Sequence, residues 1–189
     1  MKPPRPHMVY GLHKLMVEEA VTHATRRGWV DGISLRPSGI VARDGMDAAL
    51  KSAFLSRLYW GVARGEDVTL PVGPDDRSWF ASVRVVAAAF LQAATAPELP
   101  PQRALTLPAL DLSFADVIAA LRRRFPNSPS RITHAPDPDL VALFGRFPAL
   151  STKAADAAGF PRDADADALV DNALLPAAAA HTPISDRSE

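Results

Sequence analysis

Tyr10 and Lys14, four residues apart near the start of the chain, constrain its local structure most strongly. In an α-helix, residues at this spacing lie on one face, one turn above the other. A free phenol is a weak acid, and a nearby ammonium group favours its ionised form. The pair therefore predicts a helix that presents a tyrosine able to exchange a proton with a substrate hydroxyl or carbonyl group.

The Tyr10–Lys14 spacing is uncommon for a chain of this composition, which contains only four lysines and two tyrosines. Taken by itself, the pair also fits an ordinary contact between side chains one turn apart on an exposed helix. Both interpretations stay open on the spacing alone.

Segments with helical spacing of apolar residues are separated by short extended runs in the first half of the chain. The patterns predict helices over residues 8–27, 47–64 and 83–95 and strands over 33–36, 68–72 and 78–81. The Ala- and Val-rich third helix is predicted to be buried on most of its sides.

A Pro-rich connector over residues 97–101 precedes a second set of short elements. The sequence predicts strands over 104–107 and 132–134 and helices over 113–124, from 137 onward, over 151–157 and over 165–175. The run Ser113-Phe114-Ala115-Asp116 resembles a capping box at the start of the first of these helices. Residues 176–189 are predicted to be frayed or disordered.

The composition excludes several classes of function. A net charge of zero, from 21 basic and 21 acidic residues, gives no general electrostatic case for binding nucleic acid or an anionic membrane. Arg122, Arg123 and Arg124 are assigned instead to the exposed end of a helix, where cations complement the helix dipole. The chain has no cysteine, which excludes disulfides and thiolate sites and fits a reducing cytoplasm. The five histidines lack ligand spacing, so no metal is expected.

Three stretches, in this order, resemble the extended short-chain dehydrogenase/reductase family, the NAD-dependent epimerase/dehydratase group. They are Tyr10 to Lys14 with Glu18 four residues further on, Leu35-Arg36-Pro37 at the end of the first strand, and Arg77-Ser78-Trp79-Phe80. Within the family, residues 26–32 and 159–165 resemble the D-erythronate dehydrogenase subgroup. The resemblance covers roughly residues 7–175.

The resemblance implies an α/β fold, namely the C-terminal part of a Rossmann-like short-chain dehydrogenase with a small α/β substrate-binding region. Residues 1–46 would be a remnant of the dinucleotide-binding domain that carries Tyr-x-x-x-Lys. Residues 47–175 would be mainly the substrate-binding region with interleaved Rossmann elements, and 176–189 a disordered tail. The family's N-terminal half is expected to be absent, because no glycines here form the G-x-G-x-x-G turn that holds the dinucleotide phosphates.

The resemblance also implies roles in catalysis and cofactor binding. Tyr10 would be the general acid and base and would also contact the cofactor. Lys14 would favour the ionisation of Tyr10 and hydrogen-bond the nicotinamide ribose. Pro37 and Ser38 would lie where the backbone approaches the nicotinamide, with a plain turn between a strand and a loop as the alternative. The family's catalytic serine or threonine precedes the tyrosine, and residues 1–9 contain neither.

Two arginines are implied to meet the substrate. Arg43 would lie near it, with an ordinary exposed arginine as the alternative. Arg77 would meet an anionic substrate group, because a guanidinium fork suits a carboxylate or phosphate. Trp79 is assigned to the core rather than to the wall of the substrate site.

The implied function is hydride transfer between NAD or NADP and a hydroxyl-bearing carbon of a small sugar acid such as D-erythronate. The alternatives are a nucleotide-sugar epimerase or dehydratase and a non-catalytic remnant or interaction module. Without the phosphate-binding turn, the chain is expected to bind cofactor weakly and to be weak or inactive alone. The expected partners are the sugar acid and, through helices that include the one carrying Tyr10, a second copy of the chain.

Overall fold

The computed structural model describes Pro6, residues 8–43 and residues 50–174. The first part of the predicted helix over 47–64 and the predicted tail over 176–189 lie outside the described residues. The helices are α1 (Val9–Arg26), α2 (Ala53–Arg64), α3 (Val83–Thr95), α4 (Phe114–Arg124), α5 (Pro138–Phe144), α6 (Lys153–Ala157) and α7 (Ala166–Leu174). The strands are β1 (Ser34–Arg36), β2 (Gly39–Val41), β3 (Val68–Leu70), β4 (Arg77–Ser82), β5 (Ala104–Thr106), β6 (Leu110–Ser113) and β7 (Ile132–His134).

The strands in the described residues form three small sheets, and most of the strand pairs are parallel. β1 pairs with β5, β3 pairs with β7, and β2 pairs with β4, all in parallel. β6 adds to the other edge of β4 in the antiparallel direction, with Arg77 opposite Ser113. Helices connect the parallel strands, as the α/β class requires, and the predicted fold class is confirmed.

Every predicted helix and strand in the described residues is present, but two strands were missed. β2 begins directly after Pro37 and Ser38, and β6 leads directly into the capping box of α4. Each has only three or four residues, too few for a clear alternation of apolar and polar side chains. Both strands exist because β4 offers them its two edges.

The larger core lies between α2, β4, α4 and α7. The rings of Phe80 and Phe114 meet edge to face, with centroids 5.5 Å apart, so β4 and α4 interlock at the centre. Val41 and Ala42, on the N-terminal side of the predicted boundary at residue 46, also belong to this core. The division into domains stays a prediction. A smaller core consists of Ala89, Leu105, Leu107, Ala155 and Phe160.

The prediction that α3 is buried on most of its sides was wrong. Within α3 only Val85, Val86 and Ala89 are buried, whereas Phe90 is 49% exposed and Leu91 65% exposed. The cause is geometric: α3 packs with one narrow face, and residues at other helical angles point away from it. The apolar composition of α3 therefore did not predict how many of its sides are covered.

The local signals at the start of α4 were reliable. Ser113 Oγ accepts a hydrogen bond from the backbone N–H of Asp116 at 3.1 Å, and the Asp116 carboxylate accepts one from the Ser113 N–H at 3.0 Å. The predicted capping box is therefore confirmed, and its hydrogen bonds from Ser113 lower the pKa of Asp116. At the other end of α4, Arg123 and Arg124 pair with Asp167 and Asp171 of α7.

Tyr59 is fully buried in α2, and its hydroxyl group has no hydrogen-bond partner among the described residues. Burial, and to a smaller extent the Asp163 carboxylate, raises the pKa of Tyr59 well above its usual range. The unfolded chain releases this proton at about pH 10, whereas the folded chain still retains it at that pH. The free energy of unfolding should therefore be insensitive to Tyr59 below that pH and fall above it.

Tyr59→Phe is expected to remove this alkaline decline, because phenylalanine has no proton to release. Urea unfolding of both proteins across alkaline pH measures the effect. Parallel declines in the wild type and the variant would contradict the prediction.

Candidate active site

Tyr10 and Lys14 lie together at the N-terminal end of α1. Tyr10 is the second residue of the helix, with 68% of its surface exposed, and Lys14 follows one turn later, also exposed. The Lys14 Nζ lies 5.4 Å from the centroid of the Tyr10 ring, within the range of a cation–π contact. The helix therefore presents a phenol and an ammonium group side by side where a small molecule can reach them.

The face of α1 that contacts the rest of the chain is mixed, with half-buried Leu15 and Val21 beside the more deeply buried Glu18. Glu18 is the buried residue of this helix, whereas Val9, Leu12 and Met16, which have regular apolar spacing, are 47% to 68% exposed. The Glu18 carboxylate accepts hydrogen bonds from two nitrogens of Arg36, the last residue of β1. The sequence showed both residues, but not that they meet across 18 positions.

Pro37 and Ser38 form the connection between β1 and β2 and are half-buried. The connection directly follows Arg36, so the ion pair with Glu18 joins the helix of Tyr10 to the strand that leads into this turn. The Pro37–Ser38 turn is thus linked through Arg36 to α1, the helix that carries Tyr10 and Lys14.

Arg43 follows the C-terminal end of β2 and lines a cavity of about 370 Å³ beside α2. Its backbone N–H donates to Ser56 Oγ at 3.1 Å, which holds the main chain in place. The Arg43 Nε and the indole Nε1 of Trp60, another lining residue, are buried without hydrogen-bond partners among the described residues. Unpaired buried donors are costly, and an acceptor placed in the cavity would satisfy them.

Arg77 begins β4 and is already engaged by Asp111 of β6. Its Nε donates to Asp111 Oδ1 at 3.0 Å and its Nη2 to the backbone carbonyl oxygen of Asp111 at 2.6 Å. β2 and β4 pair in parallel from Gly39 opposite Phe80 to Val41 opposite Ser82. Arg77 precedes this paired stretch on β4, and Arg43 follows it on β2. The structure therefore places the two arginines assigned to the substrate at opposite ends of this sheet.

Trp79, which was assigned to the core, makes contacts with the segment that follows α5. Trp79 is half-buried, its Nε1 donates to the carbonyl oxygen of Pro148 at 2.9 Å, and the centroid of its ring lies 4.8 Å from that of Phe147.

No group of three or more histidines and acidic residues in the described ranges is arranged to hold a metal ion. In the same ranges no helix combines the length and the apolar character needed to cross a membrane.

Comparison with known proteins places this geometry in a family. Residues 1–106 match the NAD dependent epimerase/dehydratase family. The chain is 31% identical over 169 residues to D-erythronate dehydrogenase from Cupriavidus necator, an alignment that covers 87% of this chain and 52% of that protein.

Solved structures show the same fold. The nucleoside-diphosphate-sugar epimerase from Agrobacterium tumefaciens has a TM-score of 0.77 and 28% identity, over 88% of this chain and 50% of that one. L-threonine dehydrogenase from Phytophthora infestans has a TM-score of 0.78 and 18% identity, over 92% of this chain and 57% of that one. The chain thus spans about half the length of these relatives. Because the family match covers more than half of its residues, the chain belongs to the NAD dependent epimerase/dehydratase family, with a Rossmann-like α/β fold.

Proposed function

We propose that this chain carries the proton-transfer and substrate-binding residues of an NAD- or NADP-dependent dehydrogenase that acts on a small sugar acid such as D-erythronate. The observation that carries the proposal is the exposed pair of Tyr10 and Lys14 at the start of α1. The substrate class comes from the 31% identity to a D-erythronate dehydrogenase over most of the chain.

Tyr10 is proposed to act as a phenolate that accepts the proton of the substrate hydroxyl group as that carbon is oxidised, and to return the proton in the reverse reaction. Its exposed phenol can come within hydrogen-bond distance of a bound substrate. Lys14, whose ammonium group lies next to the ring, stabilises the negative charge that the phenol oxygen holds during the exchange. Carbon oxidation also requires a hydride acceptor, which a nicotinamide dinucleotide supplies when bound.

The described residues fit the nicotinamide end of such a cofactor. Lys14 offers an exposed donor for ribose hydroxyl groups, and the Pro37–Ser38 turn is joined to α1 through Arg36. The sequence has no G-x-G-x-x-G turn for the dinucleotide phosphates. We therefore propose that the phosphates are held by sequence equivalent to the part of the relatives that this chain does not match.

The assay that tests this function follows reduction of NAD or NADP in the presence of D-erythronate. It is run on this chain alone and on a fusion to the part of the Cupriavidus necator relative that the chain does not match. Activity of the fusion above that of either part supports the proposal. A fusion that is folded and binds NAD, yet oxidises no sugar acid in a panel, would contradict it.

A nucleotide-sugar epimerase is the second candidate function. It is favoured by the 28% identity and shared fold with the Agrobacterium tumefaciens epimerase. The same fusion, given nucleoside-diphosphate sugars in place of sugar acids, separates the two candidates by which substrate reacts.

Of the two arginines implied to meet the substrate, Arg43 is proposed to hold the carboxylate, because Arg77 lies at the opposite end of the sheet that contains β2 and β4. Arg43→Gln is expected to raise KM about 10- to 100-fold, because a hydrogen bond to a charged group contributes roughly 1.5–3 kcal/mol. Arg77→Gln should have a smaller effect, since Asp111 already occupies two of its nitrogens. Steady-state kinetics measures both, with Arg124→Gln, which loses an exposed ion pair, as the control. Equal KM values for wild type and Arg43→Gln would remove Arg43 from the site.

A homodimer formed through α1 is also proposed, within the cytoplasm. Its support is the exposed row of Val9, Leu12 and Met16, apolar side chains that a second copy would cover. Light scattering of the purified chain shows whether two copies associate, and a monomer across concentrations would contradict this arrangement.

A further inference from the structure

Helix α1 combines half-buried apolar residues, Leu15 and Val21 among them, with polar side-chain contacts to the rest of the fold. Among the described residues, its side chains make hydrogen bonds to other elements at two places. Thr25 Oγ1 accepts from the Gly32 N–H at 3.1 Å near the end of the helix, and Glu18 accepts from Arg36 near its middle. The Glu18 contact is the nearer of the two to Tyr10 and Lys14.

Glu18 and Arg36 form a bidentate ion pair, a geometry that restricts rotation of the two side chains relative to each other. Arg36 Nε donates to Glu18 Oε2 at 2.7 Å, and Arg36 Nη2 donates to the other carboxylate oxygen, Oε1. The Glu18 side chain is 10% exposed and that of Arg36 35% exposed, so water competes little for the carboxylate. Two parallel hydrogen bonds fix the relative orientation of two planar groups, which a single point contact does not.

The placement of this pair relates it to the proposed chemistry. Lys14 and Tyr10 lie one and two turns before Glu18, on neighbouring positions of the same side of α1. Arg36 ends β1 and is followed by Pro37 and Ser38, the residues assigned to the nicotinamide. Rotation of α1 about its axis would move Tyr10 and Lys14 relative to this turn, and the Glu18–Arg36 pair opposes that rotation.

We propose that Glu18 and Arg36 are positioning residues, which set the angle at which α1 presents Tyr10 and Lys14 relative to the Pro37–Ser38 turn. This inference rests on the proposed function of Tyr10. Neither residue touches the reacting atoms; each acts through the orientation of the helix. A displacement of about 1 Å at reacting groups can cost roughly 100-fold in rate, so a contact that fixes helix rotation bears directly on turnover.

The first test measures helix orientation in this 189-residue chain and needs no activity. Amide residual dipolar couplings report the direction of α1 relative to α2 and α4. Glu18→Gln and Arg36→Lys should each change the α1 couplings and leave those of α2 and α4 unchanged. The exchange variant, Glu18→Arg with Arg36→Glu, should restore them. The matched control is Asp31→Asn, which breaks the ion pair of Asp31 with Arg103 near the other end of β1.

Two results would overturn the proposal. Unchanged α1 couplings in Glu18→Gln and Arg36→Lys would show that the pair does not orient the helix. Altered couplings in α1, α2 and α4 together would show a general structural role. If Glu18→Gln fails to fold, Arg36→Lys, which retains the charge and loses only the fork, still decides the question.

The second test uses the fusion assayed for dehydrogenase activity. Glu18→Gln should lower kcat about 10- to 100-fold, with KM for the sugar acid within about 2-fold of wild type, and the exchange variant should recover most of kcat. An unchanged kcat would contradict a positioning role. Absence of turnover in the wild-type fusion would count against the proposed function alone, because the couplings in the chain still decide whether the pair orients α1.

Discussion

Tyr10→Phe is expected to lower kcat of the active fusion about 10²- to 10⁴-fold, the range that a positioned acid or base contributes. The variant retains the ring and its contact with the Lys14 ammonium group and removes only the hydroxyl that is proposed to exchange the proton. KM for the sugar acid and affinity for NAD should change little, because neither depends on proton transfer. Steady-state kinetics with a separate titration of NAD measures these quantities.

The matched control for this prediction is Tyr59→Phe, which removes the hydroxyl of the other tyrosine. Tyr59 is fully buried in α2, so its loss should leave kcat unchanged at neutral pH. A Tyr10→Phe enzyme with wild-type kcat would remove Tyr10 from the mechanism, and the alternative of an ordinary surface contact on α1 would then stand.

Asp163→Ala is expected to lower the free energy of unfolding by roughly 3 kcal/mol, the largest stability effect of any substitution considered. The Asp163 carboxylate is 2% exposed and accepts three hydrogen bonds. They come from the Ser82 N–H at 2.8 Å, the Ser82 hydroxyl at 2.9 Å and the Asn172 side-chain amide at 2.8 Å. Removing an acceptor from buried donors leaves them unpaired, at about 1–3 kcal/mol for each group.

The position of Ser82 explains why this loss is expected to spread. Ser82 ends β4 and caps α3, with its Oγ accepting from the Val85 N–H at 3.2 Å. Asn172 lies on α7, so one carboxylate joins a strand and two helices of the fold. Asp163→Ala should therefore weaken the junction between them as well as the local contacts.

Urea unfolding measures the effect of Asp163→Ala, with Asp171→Ala as the control. Asp171 is also an acidic residue that pairs with another helix, but its side chain is 59% exposed. An exposed ion pair contributes about 0–1 kcal/mol, so the control should remain close to wild type. Equal free energies of unfolding for the two variants would show that the burial of Asp163 adds nothing to its contribution to stability.

The segments that the sequence predicted well depend on residues close together along the chain. The helix over 8–27 corresponds to α1, and the capping box at Ser113 and Asp116 is present as expected. Helix period and capping depend on residues three or four positions apart, which the sequence shows directly. The same reasoning placed Tyr10 next to Lys14.

The covered faces of the helices were not predictable in this way. The apolar spacing of Val9, Leu12 and Met16 correctly predicted a helix, yet these residues are exposed and the contact face contains Glu18. In α3 the apolar composition predicted burial that the fold does not provide. Periodicity reports that a helix has distinct sides, but the neighbouring elements decide which side is covered.

By itself the sequence determined the helices, the capping box of α4, most of the strands and the spacing of Tyr10 and Lys14, because each arises from interactions within a few residues. Only the tertiary structure decided that β4 pairs with β2 and β6, that Glu18 meets Arg36, and that Asp163 binds Ser82, 81 positions away. Such contacts depend on how the chain returns upon itself. The position of a carboxylate or a guanidinium group in the sequence does not identify its distant partner, because the two groups meet only in the folded chain.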